Sequence, residues 1–185
     1  MKKSLLAAIM AAAVVGIASD AKAQNVMVGG QAMYPSKDIV SNAVNSADHT
    51  TLVAAVKAAG LVETLQGSGP YTVFAPVNDA FENLPEGTVA TLLKAENKPA
   101  LTKVLTYHVV PGRYDAAAIE KLIKKGNGRA VLKTASGGTL TASMNGGRNI
   151  VLMDESGGTS RISTYNVFQS NGVIHVLDRV LLPKM

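Results

Sequence analysis

The chain has no cysteine, no tryptophan, only three histidines, and an aromatic content of 4%. Without cysteine there are no disulfides, no thiolate metal site and no lipid-modified N-terminal cysteine, so an exported form must be held by its core alone. The lack of tryptophan and the shortage of other rings argue against stacking platforms for sugars or bases. His49, His108 and His175 show none of the familiar metal-binding spacings. G-x-S-x-G, H-E-x-x-H and P-loop patterns are absent, as is a usefully spaced acidic dyad. After the first residues, no apolar run of about 20 residues follows, so the mature chain holds no candidate membrane span.

What is present begins with "MKKSLLAAIMAAAVVGIASDAKAQ". Lys2 and Lys3 open it, Leu5–Ala18 is apolar or small throughout, and Ala21-Lys22-Ala23 forms an A-x-A site. This pattern predicts an export signal over 1–23 cleaved between Ala23 and Gln24, giving a secreted or periplasmic product. Removing Lys2, Lys3, Lys22 and Asp20 takes 18 basic and 13 acidic residues to 15 and 12. So mild and scattered an excess excludes a nucleic-acid footprint. The densest basic group, Lys121, Lys124 and Lys125 with Lys133 beyond, reads as the solvated face and C-terminal end of a helix.

The mature length suits one domain. Residues 24–36 read as a tail that packs on the domain or stays mobile. Helical patterns dominate 36–125. Leu52, Val53, Val56 and Ala59 form one stripe ending at Gly60, behind cap-type Ser46 and Asp48. Helices are also predicted over "LVETLQ", over Pro85–Lys94 and Pro99–Thr106, and over "AAAIEKLIKK" capped by Asp115. From 129 to 183 the patterns are extended. Ser136-Gly-Gly-Thr139, Asn145-Gly-Gly and Ser156-Gly-Gly-Thr159 predict three hairpins of an antiparallel meander. The segment "NGVIHVLDRVLLP" (171–183) is apolar on both strand faces and must be central or covered by helices. The class is α+β.

Two segments carry local physics that is architectural. In "TVFAPVNDAF" (72–81) a strand becomes a helix: Thr72 to Ala75, Phe74 included, extend. Pro76 then removes a ladder donor, and Asn78 or Asp79 is placed to cap. Phe81 packs back on the strand. In the second segment Asn171-Gly172 turns the chain into a buried strand on which His175 shares a face with Val173 and Leu177. A buried imidazole left unpartnered costs about 1–3 kcal/mol per missing hydrogen bond, so His175 reads as a latch to neighbouring backbone.

These two segments, with Tyr107-His108 in "LTYHVVPG" between them, resemble the signature elements of the fasciclin domain. The resemblance covers about residues 37–183. It implies a β-wedge of largely antiparallel strands with helices packed on one side. Val77 stands where the family normally has threonine. The resemblance further implies a non-enzymatic module for cell adhesion or matrix contact, with a cell-surface or matrix protein or polysaccharide as partner. In animal relatives the Tyr-His element and an Asp-Ile pair are linked to integrin binding. Tyr107 and His108 carry over as possible partner-binding residues, whereas Asn166 and Val167 replace the Asp-Ile pair. Some members bind carotenoids, so the alternative is an exported carrier of a lipophilic small molecule, with Met27, Met33, Met144 and Met153 as candidate lining. No catalytic residue, metal or cofactor is expected.

Overall fold

The computed structural model describes residues 25–147 and 149–184, and the leader assigned to 1–23 lies outside them. The N-terminal half runs β1 (Met27–Val28), β2 (Gln31–Ala32), α1 (Ile39–Ala43), α2 (Thr50–Ala59), α3 (Val62–Gln66), β3 (Tyr71–Pro76) and α4 (Asn78–Glu82). Next come α5 (Thr88–Leu92), α6 (Lys98–Tyr107), β4 (Val109–Pro111) and α7 (Ala116–Lys125). The meander is β5 (Arg129–Lys133), β6 (Thr139–Asn145), β7 (Asn149–Met153), β8 (Thr159–Gln169) and β9 (Gly172–Leu177).

Every residue of β9 is buried, as expected of a strand apolar on both faces. It lies inside a seven-stranded sheet of order β4-β3-β9-β8-β7-β6-β5. The β3–β9 pair is parallel, and the other pairs are antiparallel. A parallel pair requires a long crossover, and the whole run from α4 to β8 supplies it. Alternation along the two central strands then divides the core. Val73, Ala75, Ile174 and Val176 join Leu52, Val56, Leu101 and Leu105 of α2 and α6 on one side. Phe74 and Leu177 join Ile119 and Ile123 of α7 and the inner residues of β5–β8 on the other. Burying one such side chain fully is worth about 1.5–3 kcal/mol, so two cores compensate for the missing disulfides.

The three predicted hairpins are all present, and Gly137 and Gly157 take the positive φ values of 90° and 85° that their tight turns need. Asp115 caps α7 by accepting from Ala118 N–H at 2.7 Å. Of the two alternatives for residues 24–36, the part described takes the first and packs on the domain. β1 and β2 pair as a hairpin, and Val28 and Met33 are buried in the first core. The helix expected over Pro85–Lys94 is shorter, Thr88–Leu92, and buries none of its residues. The helix expected over Pro99–Thr106 runs one residue further at each end, Lys98–Tyr107. Tyr107 is the last residue of α6, His108 is its C-cap, and β4 begins at Val109.

Candidate functional site

His175 sits on the β9 face that carries Leu177, fully buried. Its partner across the parallel pair is Phe74, and the two rings stack with centroids 5.7 Å apart. Tyr165 closes the pocket edge-on at 6.1 Å. Nε2 lies 2.9 Å from the Tyr114 carbonyl, and Nδ1 accepts a long bond from Asn166 N–H at 3.4 Å. A carbonyl accepts only, so the ring carries its proton on Nε2. Burial holds its pKa below the ordinary histidine value, against the opposing pull of the Tyr114 carbonyl and the Asp115 charge.

The segment that His175 grips is held twice more. Thr72 Oγ1 donates to the Gly112 carbonyl at 2.7 Å and accepts from Tyr114 N–H at 2.8 Å. Asn166, in the left-handed region at φ 57°, accepts from Ala116 N–H at 2.8 Å. Thr72, His175 and Asn166 thus fasten the loop into α7 to three adjacent strands. This is the predicted latch, with Asn166 as the member that local pattern reading missed. Its signal in the sequence is an asparagine, a residue that tolerates the left-handed region, inside the extended segment "TYNVFQ".

Asn171 makes a second clamp. Its Oδ1 accepts from Ile39 N–H at 3.0 Å, and its Nδ2 donates to the Leu65 and Gly67 carbonyls at 2.8 and 2.9 Å. One amide thereby satisfies the start of α1 and the end of α3. A side chain at Gly172 would overlap the Tyr71 carbonyl oxygen, so only glycine fits beside it.

Asn78 corrects the capping expectation. The residue preceding its own helix is Val77, and neither Asn78 nor Asp79 makes a side-chain cap bond there. Asn78 Oδ1 instead accepts from Thr51 N–H at 3.0 Å and Nδ2 donates to the Ala47 carbonyl at 2.8 Å. It caps α2, because that helix begins behind His49, which makes no side-chain cap bond of its own. Pro76 ends β3 opposite Leu177, and Phe81 packs partly buried on the first core as expected.

Tyr107 and His108 also differ from expectation, since neither offers its side chain to a partner. Tyr107 is fully buried; its hydroxyl donates to the Thr139 carbonyl at 2.6 Å and accepts from Glu155 N–H at 3.1 Å. Burial, opposed by that N–H and aided by the Glu155 and Asp154 charges, pushes its pKa up to about 12. His108 Nδ1 donates to the Val104 carbonyl at 2.9 Å, and Nε2 accepts from Leu181 N–H at 3.0 Å. Burial lowers its pKa to about 4, although the Val104 carbonyl and the Asp154 charge favour the cation. Both rings face inward because a helix end directed into the meander has no solvent side.

The four methionines do not converge on one groove. Met27 and Met153 are exposed, while Met33 and Met144 pack against different cores. An apolar cavity of about 100 Å³ does lie between the helices and the sheet, lined by Val40, Leu52, Val56, Leu65, Val73 and Leu105 among others. Sites that enclose a drug-sized ligand run from about 300 Å³ upward. Among the described residues no group of three or more His, Asp or Glu side chains is placed to hold a metal ion.

The bare surface lies on the outside of the meander. Arg129, Val131 and Lys133 of β5, Thr141 and Ser143 of β6, Met153 of β7 and Arg161 of β8 alternate with the inward core positions, and no helix of the described chain covers them. The Arg161 guanidinium pairs with Asp178 at 3.0 Å.

The fasciclin domain model matches residues 47–183. Protein sll1483 of Synechocystis is 43% identical over 162 residues, covering 88% of this chain and 82% of that protein. Immunogenic protein MPB70 of Mycobacterium bovis is 33% identical, covering 97% of this chain and 94% of its relative. A solved FAS1 domain pair from the insect cell adhesion molecule Fasciclin I superposes with a TM-score of 0.72 at 16% identity, over 80% of this chain and 51% of that one. At that identity the likeness speaks for the fold alone.

Proposed function

Because the chain belongs to the fasciclin domain family, a family generally without enzymatic chemistry, we propose that it is an exported binding module for cell-surface or matrix contact. Its partner in this reading is a surface or matrix protein or polysaccharide. The observation that supports it is the division of labour between inside and outside. Thr72, Asn78, Tyr107, His108, Asn171 and His175 all direct their polar atoms at the chain's own backbone. The outer face of β5–β8 is left uncovered, and recognition is assigned to it.

The test is retention of the purified mature protein on cells and on matrix polymers of its own source, against an unrelated exported control. Retention above the control supports the reading, and equal retention removes it. Export is tested with it, since N-terminal sequencing of the envelope or medium fraction should start at Gln24.

A further inference from the structure

The geometry points to the free edge of β5 as a docking site for an extended, acidic peptide segment of a partner protein, added to the sheet as another strand. This rests on reading the chain as a binding module and names the chemistry of the partner.

The sheet is bent so that its two end strands, β4 and β5, approach each other without closing. One bond joins them just past β5, from Ala135 N–H to the Val109 carbonyl at 2.7 Å. β4 does not continue the ladder, because it ends at Pro111, which has no N–H to give. Between the two edges runs a groove of about 660 Å³, lined by Val110, Pro111, Tyr114, Leu122, Val131 and Lys133 among others.

The register of the β5–β6 hairpin shows which backbone groups face this groove. Thr134 N–H donates to the Gly138 carbonyl, and Leu132 pairs with Leu140 and Ala130 with Ala142 in the same phase. Hydrogen-bonded pairs alternate along an antiparallel ladder, so Ala130 and Leu132 point their backbone groups at β6. Val131 and Lys133 therefore point theirs outward, where a strand of another chain would meet them.

Charge selects the occupant. Arg129 and Lys133 flank Val131 on the solvent face, and neither has a carboxylate within 4 Å among the described residues. Exposed Lys121, Lys124 and Lys125 lie on α7, which also supplies Leu122 to the groove. A second copy is a poor occupant. Antiparallel β5–β5 pairing about Val131 would set Arg129 opposite the second copy's Lys133, and like charges directly opposite are destabilising. An acidic strand gains at both positions. Its alternate residues face Val110, Leu122 and Tyr114, so the segment that fits alternates acidic and apolar side chains.

The probe is an acetylated, amidated eight-residue peptide of alternating glutamate and valine, titrated into the ¹⁵N-labelled mature protein. Amide shifts are expected at Val109, Val110 and Gly112 and at residues 129–135. Affinity should fall at least tenfold for the lysine–valine counterpart, for the R129E/K133E variant, and for Val131→Pro. The proline removes an outward N–H while sparing the β5–β6 ladder. If Val131→Pro lowers the thermal midpoint, the glutamate peptide N-methylated at alternate residues makes the same test on the unaltered protein. Equal binding of the lysine peptide or of the N-methylated peptide overturns the proposal, as does no binding at all. Polygalacturonate shifting the same amides while the peptide is silent would also overturn it, by making the site a polysaccharide surface. If R129E/K133E is retained on cells as well as the unaltered protein, the edge proposal fails while the binding-module reading stands.

Discussion

His108 Nε2 accepts the Leu181 N–H at 3.0 Å, joining the end of α6 to a residue 73 positions later. The same ring donates from Nδ1 to Val104 in its own helix, so both nitrogens are satisfied only while the imidazole is neutral. Protonation would place a second N–H against the Leu181 donor.

That bond sets a pH dependence. In the unfolded chain His108 titrates near 6.5, and in the folded chain near 4. Between those values the unfolded state binds more protons, so stability is full above about pH 6.5 and falls as the pH drops toward 4. The loss from this one residue is about 3 kcal/mol. His49 and His175, also lowered by burial, add to the fall in the same direction. Asp38 and Asp178 act in a lower window. Burial raises both, but hydrogen bonds from Ser41 and from Arg161 outweigh it, so their contribution is lost only as the pH falls through values below 3.8. Urea unfolding of His108→Gln at pH 7, 5.5 and 4 should show a shallower acid loss than the unaltered protein.

The latch at His175 predicts a stability effect without a binding effect. His175→Ala removes the bond to Tyr114 and opens a cavity beside Phe74, which should cost about 3 kcal/mol and lower the thermal midpoint by roughly 6–12 °C. Retention on cells, measured at a temperature where the variant is folded, should match the unaltered protein. An unchanged midpoint with lost retention would make His175 a contact residue.

Asn171→Ala should loosen α1 and α3 together, since one amide serves both. Loss of these three bonds, two of them buried, is expected to cost about 3 kcal/mol. Hydrogen exchange at the Ile39 amide should accelerate ahead of global unfolding. Unchanged exchange there would contradict the shared clamp.

Gln169 is a place where the fold is improvable. It is 2% exposed, and neither atom of its side-chain amide has a hydrogen-bond partner. Gln169→Met keeps the length and removes both unpaired atoms, while Arg113 still donates to the residue's backbone carbonyl. Stability in denaturant should rise by about 1 kcal/mol. A fall would show that the amide has a partner in solution.

What was legible in the sequence had local causes. Glycine pairs marked the three hairpins, an apolar run on both faces marked the central strand, and a lone histidine within it marked a latch. The misreadings concern partners far along the chain. Asn78 precedes a helix and looks like its cap, yet the unsatisfied N–H of Thr51, 27 residues away, takes its oxygen. The helix expected over Pro99–Thr106 stops short of Tyr107, but α6 continues through it and turns its ring inward. The sequence offers four methionines as one lining set, and only the fold shows that the sheet separates Met33 from Met144. The bare edge of β5 had a trace in the alternation of Arg129, Val131 and Lys133, but whether a neighbouring strand covers it depends on how the sheet bends.

His108 and His175 are neutral internal latches and not partner-binding groups. Long-range ¹H–¹⁵N correlation of the imidazole rings, followed from pH 8 to 5, tests this most directly. His175 should be protonated on Nε2 and His108 on Nδ1, with no titration of His108 across that range. A His108 ring that exchanges between tautomers and titrates near 6.5 in the folded protein would contradict it.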